Sequence, residues 1–139
     1  MKLLFDTSAI VKRYKAEQGH DVVARLFAEA SAVVMAAHCK VEIASGFSRE
    51  VHAGAIDAAQ YGGAMAEVAE DFSDFEVLPI TPQIEALAIA AMASHRLRAM
   101  DALHIGTAQI AQVDLFVTAD RQQAKAAQAM GLKIELIKG

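Results

Sequence analysis

The chain has 139 residues, 55% of them hydrophobic, with 17 Asp and Glu against 13 Lys and Arg for a formal charge of −4. That length is one domain, residues 1–139, able to bury roughly 70% of its unfolded surface around one core, and the acidic balance excludes a protein that coats nucleic acid through a uniformly basic surface. A single cysteine, Cys39, excludes a disulfide framework and a CxxC zinc site, no run approaches the roughly 20 apolar residues of a membrane span, and the apolar run of "MKLLFDTSA" is short for a signal peptide, so the cytoplasm is the expected compartment.

In chain order, "KLLF" (2–5) is a short bulky apolar run that reads as a strand, ended by Asp6. Lys12, Arg13 and Lys15, with Tyr14 among them, form the most basic stretch; it is either a solvated helix face or a strip that meets a phosphate backbone. A helix near 20–30 leads to the strand "AVVMAA" (32–37) and then to a helix over 39–53. This helix carries Glu42 in its first turn and Arg49 two turns on, where Arg49 pairs with an acid or with a substrate phosphate. Asp57 with Gln60 three residues later is a capping box, and it opens a helix over 57–74. Gly62 and Gly63 lie inside that helix at about 1 kcal/mol each relative to Ala, which predicts a bend or a break. "FEVLPI" (75–80) reads as a strand whose Pro79 suits a sheet edge. Thr81 and Pro82 then open a helix over 82–96, and Asp101 is expected to cap another over 101–112. "LFVTA" (115–119) is the fourth strand, followed by Asp120, a helix over 121–130 closed by Gly131, and the charge-alternating edge strand "KIELI" (133–137).

Strands alternating with longer Ala-rich helices indicate an α/β fold with a mainly parallel sheet, which holds ligands at the carboxyl ends of its strands where strand order reverses. With the order 3-2-1-4-5 assumed from that fold class, the first and fourth strands are neighbours and Asp6 lies beside Asp120. Glu42 and Asp101 open helices at the same end. Each Asp alone is explained by helix capping. Together, four carboxylates in a partly dry cleft raise one another's pKa unless a cation compensates, and an all-oxygen set suits Mg²⁺ or Mn²⁺ rather than zinc or copper. Such an ion suits phosphodiester hydrolysis. Thr7, Ser8 and Thr118 are placed to hydrogen-bond the carboxylates. His104, one turn after Asp101, reads mainly as a buried structural residue, as does His38, although either is near enough to assist. An aspartyl-phosphate phosphatase would need a second acid where Ser8 stands, and a receiver domain would need paired acids after the first strand, an Asp after the third and a Lys after the fifth.

Taken together, "LLFDTSAIVKRY", "VEIASGFSR", "LRAMDALHIGTA" and "FVTADRQQAKAAQAMGL" resemble the PIN-domain ribonucleases, above all the VapC-type toxins of type II toxin-antitoxin modules. The resemblance spans the chain and matches the family's metal-binding acids to Asp6, Glu42, Asp101 and Asp120. It implies a three-layer α/β/α fold with a central, mainly parallel five-stranded sheet. It also implies Mg²⁺- or Mn²⁺-dependent endoribonuclease activity on an RNA substrate, a homodimer, and a cognate antitoxin that blocks the site. Lys12, Arg13 and Arg49 are the expected contacts to RNA or antitoxin. A PIN nuclease outside a toxin-antitoxin system, or an inactive module kept for partner binding, is the alternative.

Overall fold

The structure, a computed structural model, describes residues 1–138. Five parallel strands form one sheet in the order β3-β2-β1-β4-β5, with β1 at Lys2–Phe5, β2 at Ala32–Ala36, β3 at Glu76–Leu78, β4 at Leu115–Thr118 and β5 at Ile134–Leu136. The expected topology is therefore the one found, and the Pro-containing and charge-alternating strands are its two edges. The described residues also form seven α-helices: α1 (Thr7–Ile10), α2 (His20–Glu29), α3 (Cys39–His52), α4 (Ala58–Asp74), α5 (Pro82–Ser94), α6 (Ala99–Ala111) and α7 (Arg121–Ala129). A 3₁₀ turn over Val11–Arg13 continues α1.

Alternate side chains of a strand point to opposite faces, and both faces of this sheet are covered. Leu3, Phe5, Met35 and Val117 pack into one core with Val23 and Leu26 of α2, Ile43 and Phe47 of α3, and Val68 and Phe72 of α4. Leu4, Val34 and Phe116 pack into the other with Ile105 and Ala108 of α6 and Ala126 and Ala127 of α7. Helix α5 lies on α6 through Ala88, Ala91 and Ala102. Small residues let these two helices approach closely. A Cβ on Gly106 would stand 2.8 Å from the Ile84 carbonyl oxygen, a contact that requires the backbone to move.

The helix starts follow from side chains that satisfy the unpaired N–H groups of a first turn. Asp57 and Gln60 form the reciprocal capping box that opens α4, and Thr81 accepts from the Ile84 N–H with Pro82 at the first helical position of α5. Two expectations need correction. Helix α4 runs unbroken through Gly62 and Gly63, both in open space, because the capping box and the burial of Val68 and Phe72 hold it as one piece. Asp101 does not cap its helix either: α6 begins two residues earlier with Arg98 at the N-cap, which places Asp101 in the first turn with its carboxylate free of capping duty.

Candidate active site

At the carboxyl ends of β1 and β4 lies a cleft of about 330 Å³ lined by Asp6, Glu42, Asp101 and Asp120 together with Thr7 and Ser8. Four separate elements deliver the acids. Phe5 of β1 pairs with Val117 of β4, so the residues that follow each strand, Asp6 and Asp120, emerge side by side and cap α1 and α7 respectively. Glu42 comes from the first turn of α3 and Asp101 from the first turn of α6.

Asp6 is buried, at 3% exposure. Its Oδ1 accepts from Ser8 Oγ at 2.7 Å and from the Ala9 N–H at 3.0 Å, and its Oδ2 accepts from Thr118 Oγ1 at 2.5 Å. Burial pushes its carboxyl pKa above the usual range, and His104, Ser8, Thr118 and the Ala9 N–H offset this only in part. The two hydroxyls also fix the neighbouring loop: Thr118 Oγ1 accepts from the Asp120 N–H at 3.0 Å, and Ser8 Oγ accepts from the Ala119 N–H at 2.9 Å.

Glu42 is held differently. Its Oε1 accepts from Thr7 Oγ1 at 2.6 Å and lies 2.8 Å from His104 Nε2. Burial alone raises the Glu42 pKa, but the His104 and Thr7 hydrogen bonds, with the charges of His104 and His38, bring it down to about 2. His104 is itself 1% exposed, and its ring lies 4.4 Å from that of His38, whose Nε2 donates to the Met100 carbonyl at 2.8 Å. Burial and the nearby His104 charge lower the His38 pKa. The Asp101 carboxylate has no hydrogen-bond donor among the described residues; Arg98 Nε stands 3.6 Å from its Oδ2. Burial raises the Asp101 pKa, Arg98 opposes the rise and Asp120 adds to it. Gln123, fully buried, donates through Nε2 to the Asp101 carbonyl at 3.0 Å and so ties α7 to the start of α6.

This donor set fits a hard divalent cation. The acids supply only oxygen, and Asp101 and one oxygen each of Glu42 and Asp120 lack any donor among the described residues. Two of the four are pushed toward protonation by burial, a condition that a bound cation relieves. No three of these carboxylates lie within 4.8 Å of one another. The tightest such group among the described residues is instead His38, Glu42 and His104. There the imidazoles act as hydrogen-bond partners of Glu42 and of the Met100 carbonyl.

The predicted supporting residues Thr7, Ser8 and Thr118 all reach the acids. Arg49 lines the cleft, its Nη1 donating to Ser45 Oγ at 3.0 Å. Lys12 and Arg13 do not reach it. Lys12 is buried with its Nζ donating to the Gln18 carbonyl at 2.9 Å, and Arg13 bonds Asp71 through Nε at 2.7 Å beneath the Phe27 ring. The chain turns tightly after α1, so the strip expected to meet phosphate is anchored inward. One residue was read only in part and another escaped. His104, read mainly as a buried structural residue, is buried and pairs with Glu42, and its position among the core-facing residues Ala102, Ile105 and Ala108 of α6 was the available signal that a buried ring there needs a polar partner. Arg98 lines the cleft, and nothing in the sequence distinguished it from any exposed arginine.

The PIN domain family model matches residues 3–129. No curated protein matches the chain by sequence. Among solved structures it is similar to FitAcB from Neisseria gonorrhoeae, with a TM-score of 0.75 at 17% identity over 95% of this chain and 95% of that one. It is similar also to the sarcin-ricin-loop-cleaving toxin VapC20 of Mycobacterium tuberculosis, with a TM-score of 0.70 at 17% identity over 94% and 95% of the two chains. DNA-bound VapBC from Salmonella typhimurium gives a TM-score of 0.71 at 18% identity over 97% of each. With its strand order, its strand-end acids and a family match over nearly its whole length, the chain belongs to the PIN domain family.

Proposed function

We propose that this protein is a divalent-metal-dependent endoribonuclease that hydrolyses RNA phosphodiester bonds as the toxin of a toxin-antitoxin module. The observation that carries the reading is the convergence of Asp6, Glu42, Asp101 and Asp120, from four elements, on one cleft at the switch point of the sheet. Mg²⁺ or Mn²⁺, when bound, polarises the phosphoryl oxygen, lowers the pKa of the attacking water and steadies the leaving oxygen. In this assignment Asp6, Asp101 and Asp120 hold the ion, and Glu42 holds it or orients the water through the oxygen that Thr7 and His104 leave free. Ser8 and Thr118 keep the Asp6 carboxylate in one orientation, and the Thr118 bond to the Asp120 N–H sets the distance between the two strand-end acids. Arg49 and Arg98 supply cations at the wall of a cleft whose other charged residues are acids, where a phosphate needs them.

A cognate antitoxin as partner and a homodimeric assembly belong to the same proposal. Support for the partner comes from a structural neighbour from Klebsiella pneumoniae described as a toxin-antitoxin complex. The test is cleavage of single-stranded RNA by purified protein stripped with chelator and resupplied with Mg²⁺. Wild type is expected to regain activity, and Asp6→Asn is expected to lose it while keeping the wild-type circular dichroism. Equal cleavage by the two proteins overturns the assignment. Induced expression of wild type against Asp101→Asn tests the toxin role, with growth arrest expected only from the former.

A further inference from the structure

We propose that single-stranded RNA leaves the acidic cleft on one defined side, across the α5–α6 turn, into a phosphate-binding depression bordered by Arg96 and Lys125. This inference rests on the RNA reading above and adds where the strand runs. The depression, about 250 Å³, is lined by Ser94, His95, Arg96, Gln122, Lys125 and Ala126. It shares two segments with the acidic cleft. The α5–α6 turn contributes Arg96 to one and Arg98 to the other, and the start of α7 contributes Lys125 to one and Asp120 to the other. The Gln123 bond to the Asp101 carbonyl fixes these segments together, so the two depressions keep their relative position.

The cations around the cleft are of two kinds. Lys15 is neutralised by Glu50 at 2.6 Å, whereas Arg49, on the α3 wall of the cleft, has only Ser45 Oγ at 3.0 Å among the described residues. Among the described residues, no carboxylate oxygen lies within 4.0 Å of Arg96, Arg121 or Lys125. Arg121 sits at the first position of α7, beside the Asp120 carboxylate that caps the helix, and Lys125 stands four residues on, a spacing at which like charges repel. In a chain with a net charge of −4, cations without a carboxylate partner among the described residues that line a depression beside an acidic cleft offer contacts to an external polyanion. Phosphates contacted there draw the strand away from the carboxylates on either side of the scissile bond.

The experiment measures binding of a labelled single-stranded RNA of roughly a dozen nucleotides to the Asp6→Asn protein in Mg²⁺ by fluorescence anisotropy, between about 50 and 200 mM salt. Each phosphate contact on a single strand contributes about 0.7 to the slope of log affinity against log salt, so Arg96→Gln/Lys125→Gln in that background is expected to flatten the slope by about 1.4. Lys15→Gln, whose partner is Glu50, is expected to leave it unchanged. In the active protein the double variant raises KM while kcat stays within about twofold, as loss of uniform binding requires. An unchanged slope, or RNA that fails to bind the parent, overturns the track, and an unchanged slope together with weakened antitoxin binding reassigns the surface to an acidic protein segment. Failure of wild type to cleave RNA while the slope still flattens overturns the nuclease reading and leaves the track standing.

Discussion

Asp6→Asn is expected to stabilise the metal-free protein even as it removes the proposed activity. Asp6 is 3% exposed and its pKa is raised by burial, so the ionised form is held in the folded state against its own preference. An asparagine of the same shape keeps the hydrogen bonds. Its Oδ1 still accepts from Ser8 Oγ and the Ala9 N–H, and its amide donates to Thr118 Oγ1, which turns its own proton toward Ser8 Oγ, 3.2 Å away. What disappears is the buried charge, and relieving strain of this kind at a functional site typically gains about 0.5–2 kcal/mol. For a chain of this length, at about 4 °C per kcal/mol, the melting temperature in chelator rises by roughly 2–8 °C. The pH dependence has a definite sign. Because the folded pKa lies above the unfolded one, the native state binds the proton more readily, and wild type gains stability as pH falls from 7 through the folded pKa of Asp6. The advantage of the variant therefore narrows on acidification. Mg²⁺ acts in the opposite direction: a ligand at about 100 times its Kd adds about 2.7 kcal/mol to a protein that binds it, so wild type gains more than the variant. Calorimetry in chelator and in Mg²⁺, at neutral and mildly acidic pH, reads all three effects. A variant that melts below wild type in chelator, or an equal rise in both proteins with Mg²⁺, refutes the reasoning.

Three further substitutions probe other parts of the molecule. Thr7→Val removes the 2.6 Å donor from Glu42 Oε1, so the Glu42 pKa rises from about 2 and the Mg²⁺ concentration for half-maximal cleavage is expected to increase roughly 10-fold or more, as for other residues that orient ligands. Gly106→Ala places a methyl 2.8 Å from the Ile84 carbonyl, and forcing α5 off α6 is expected to cost about 1–3 kcal/mol by urea denaturation. Asp71→Asn breaks the Arg13 pair and the 2.8 Å bond from the Tyr14 hydroxyl, for an expected loss of about 1 kcal/mol given their partial exposure. Burial raises the Asp71 pKa, but the Arg13 and Tyr14 bonds outweigh it and leave the pKa lowered. The stability Asp71 contributes is therefore complete above the unfolded pKa near 3.9 and is lost as pH falls through the folded value, so wild type and variant converge in acid.

The sheet was legible because four of its strands are short runs rich in bulky or β-branched apolar residues set between longer Ala-rich helices, and two cores on opposite faces need that pattern. The strand order was an assumption of fold class, and the structure bears it out because β1 lies between β2 and β4, with helices from the two halves covering opposite faces. The gathering of the four acids was legible for the same reason: Asp6 and Asp120 follow paired strands, and a parallel sheet places both at one end. Asp101 was found for an incomplete reason. Capping was the expected account of it, yet Arg98 holds the N-cap and the Asp101 carboxylate receives no donor among the described residues, which is a stronger argument for a ligand than a cap would have been.

Less legible was which charged residues face outward with nothing to neutralise them. Lys12, Arg13 and Lys15 form the densest basic run in the sequence, and all three are matched within the fold to Glu17, Asp71 and Glu50, the last two of which lie 58 and 35 positions away. Arg96, Arg121 and Lys125 are scattered among alanines and glutamines and draw no attention in the sequence, yet the fold leaves them without carboxylate partners among the described residues. Pairing between distant residues decides whether a cation is available to a ligand, and local composition carries no information about such pairing. The same holds for His104, whose partner Glu42 lies 62 positions earlier. Of the proposed metal ligands, Asp6 and Asp120 follow strands and Glu42 and Asp101 open helices, positions that secondary structure alone brings to one end of the sheet. The groups that tune those acids and guide a polyanion toward them depend on contacts between elements, and so become visible only once the helices are packed.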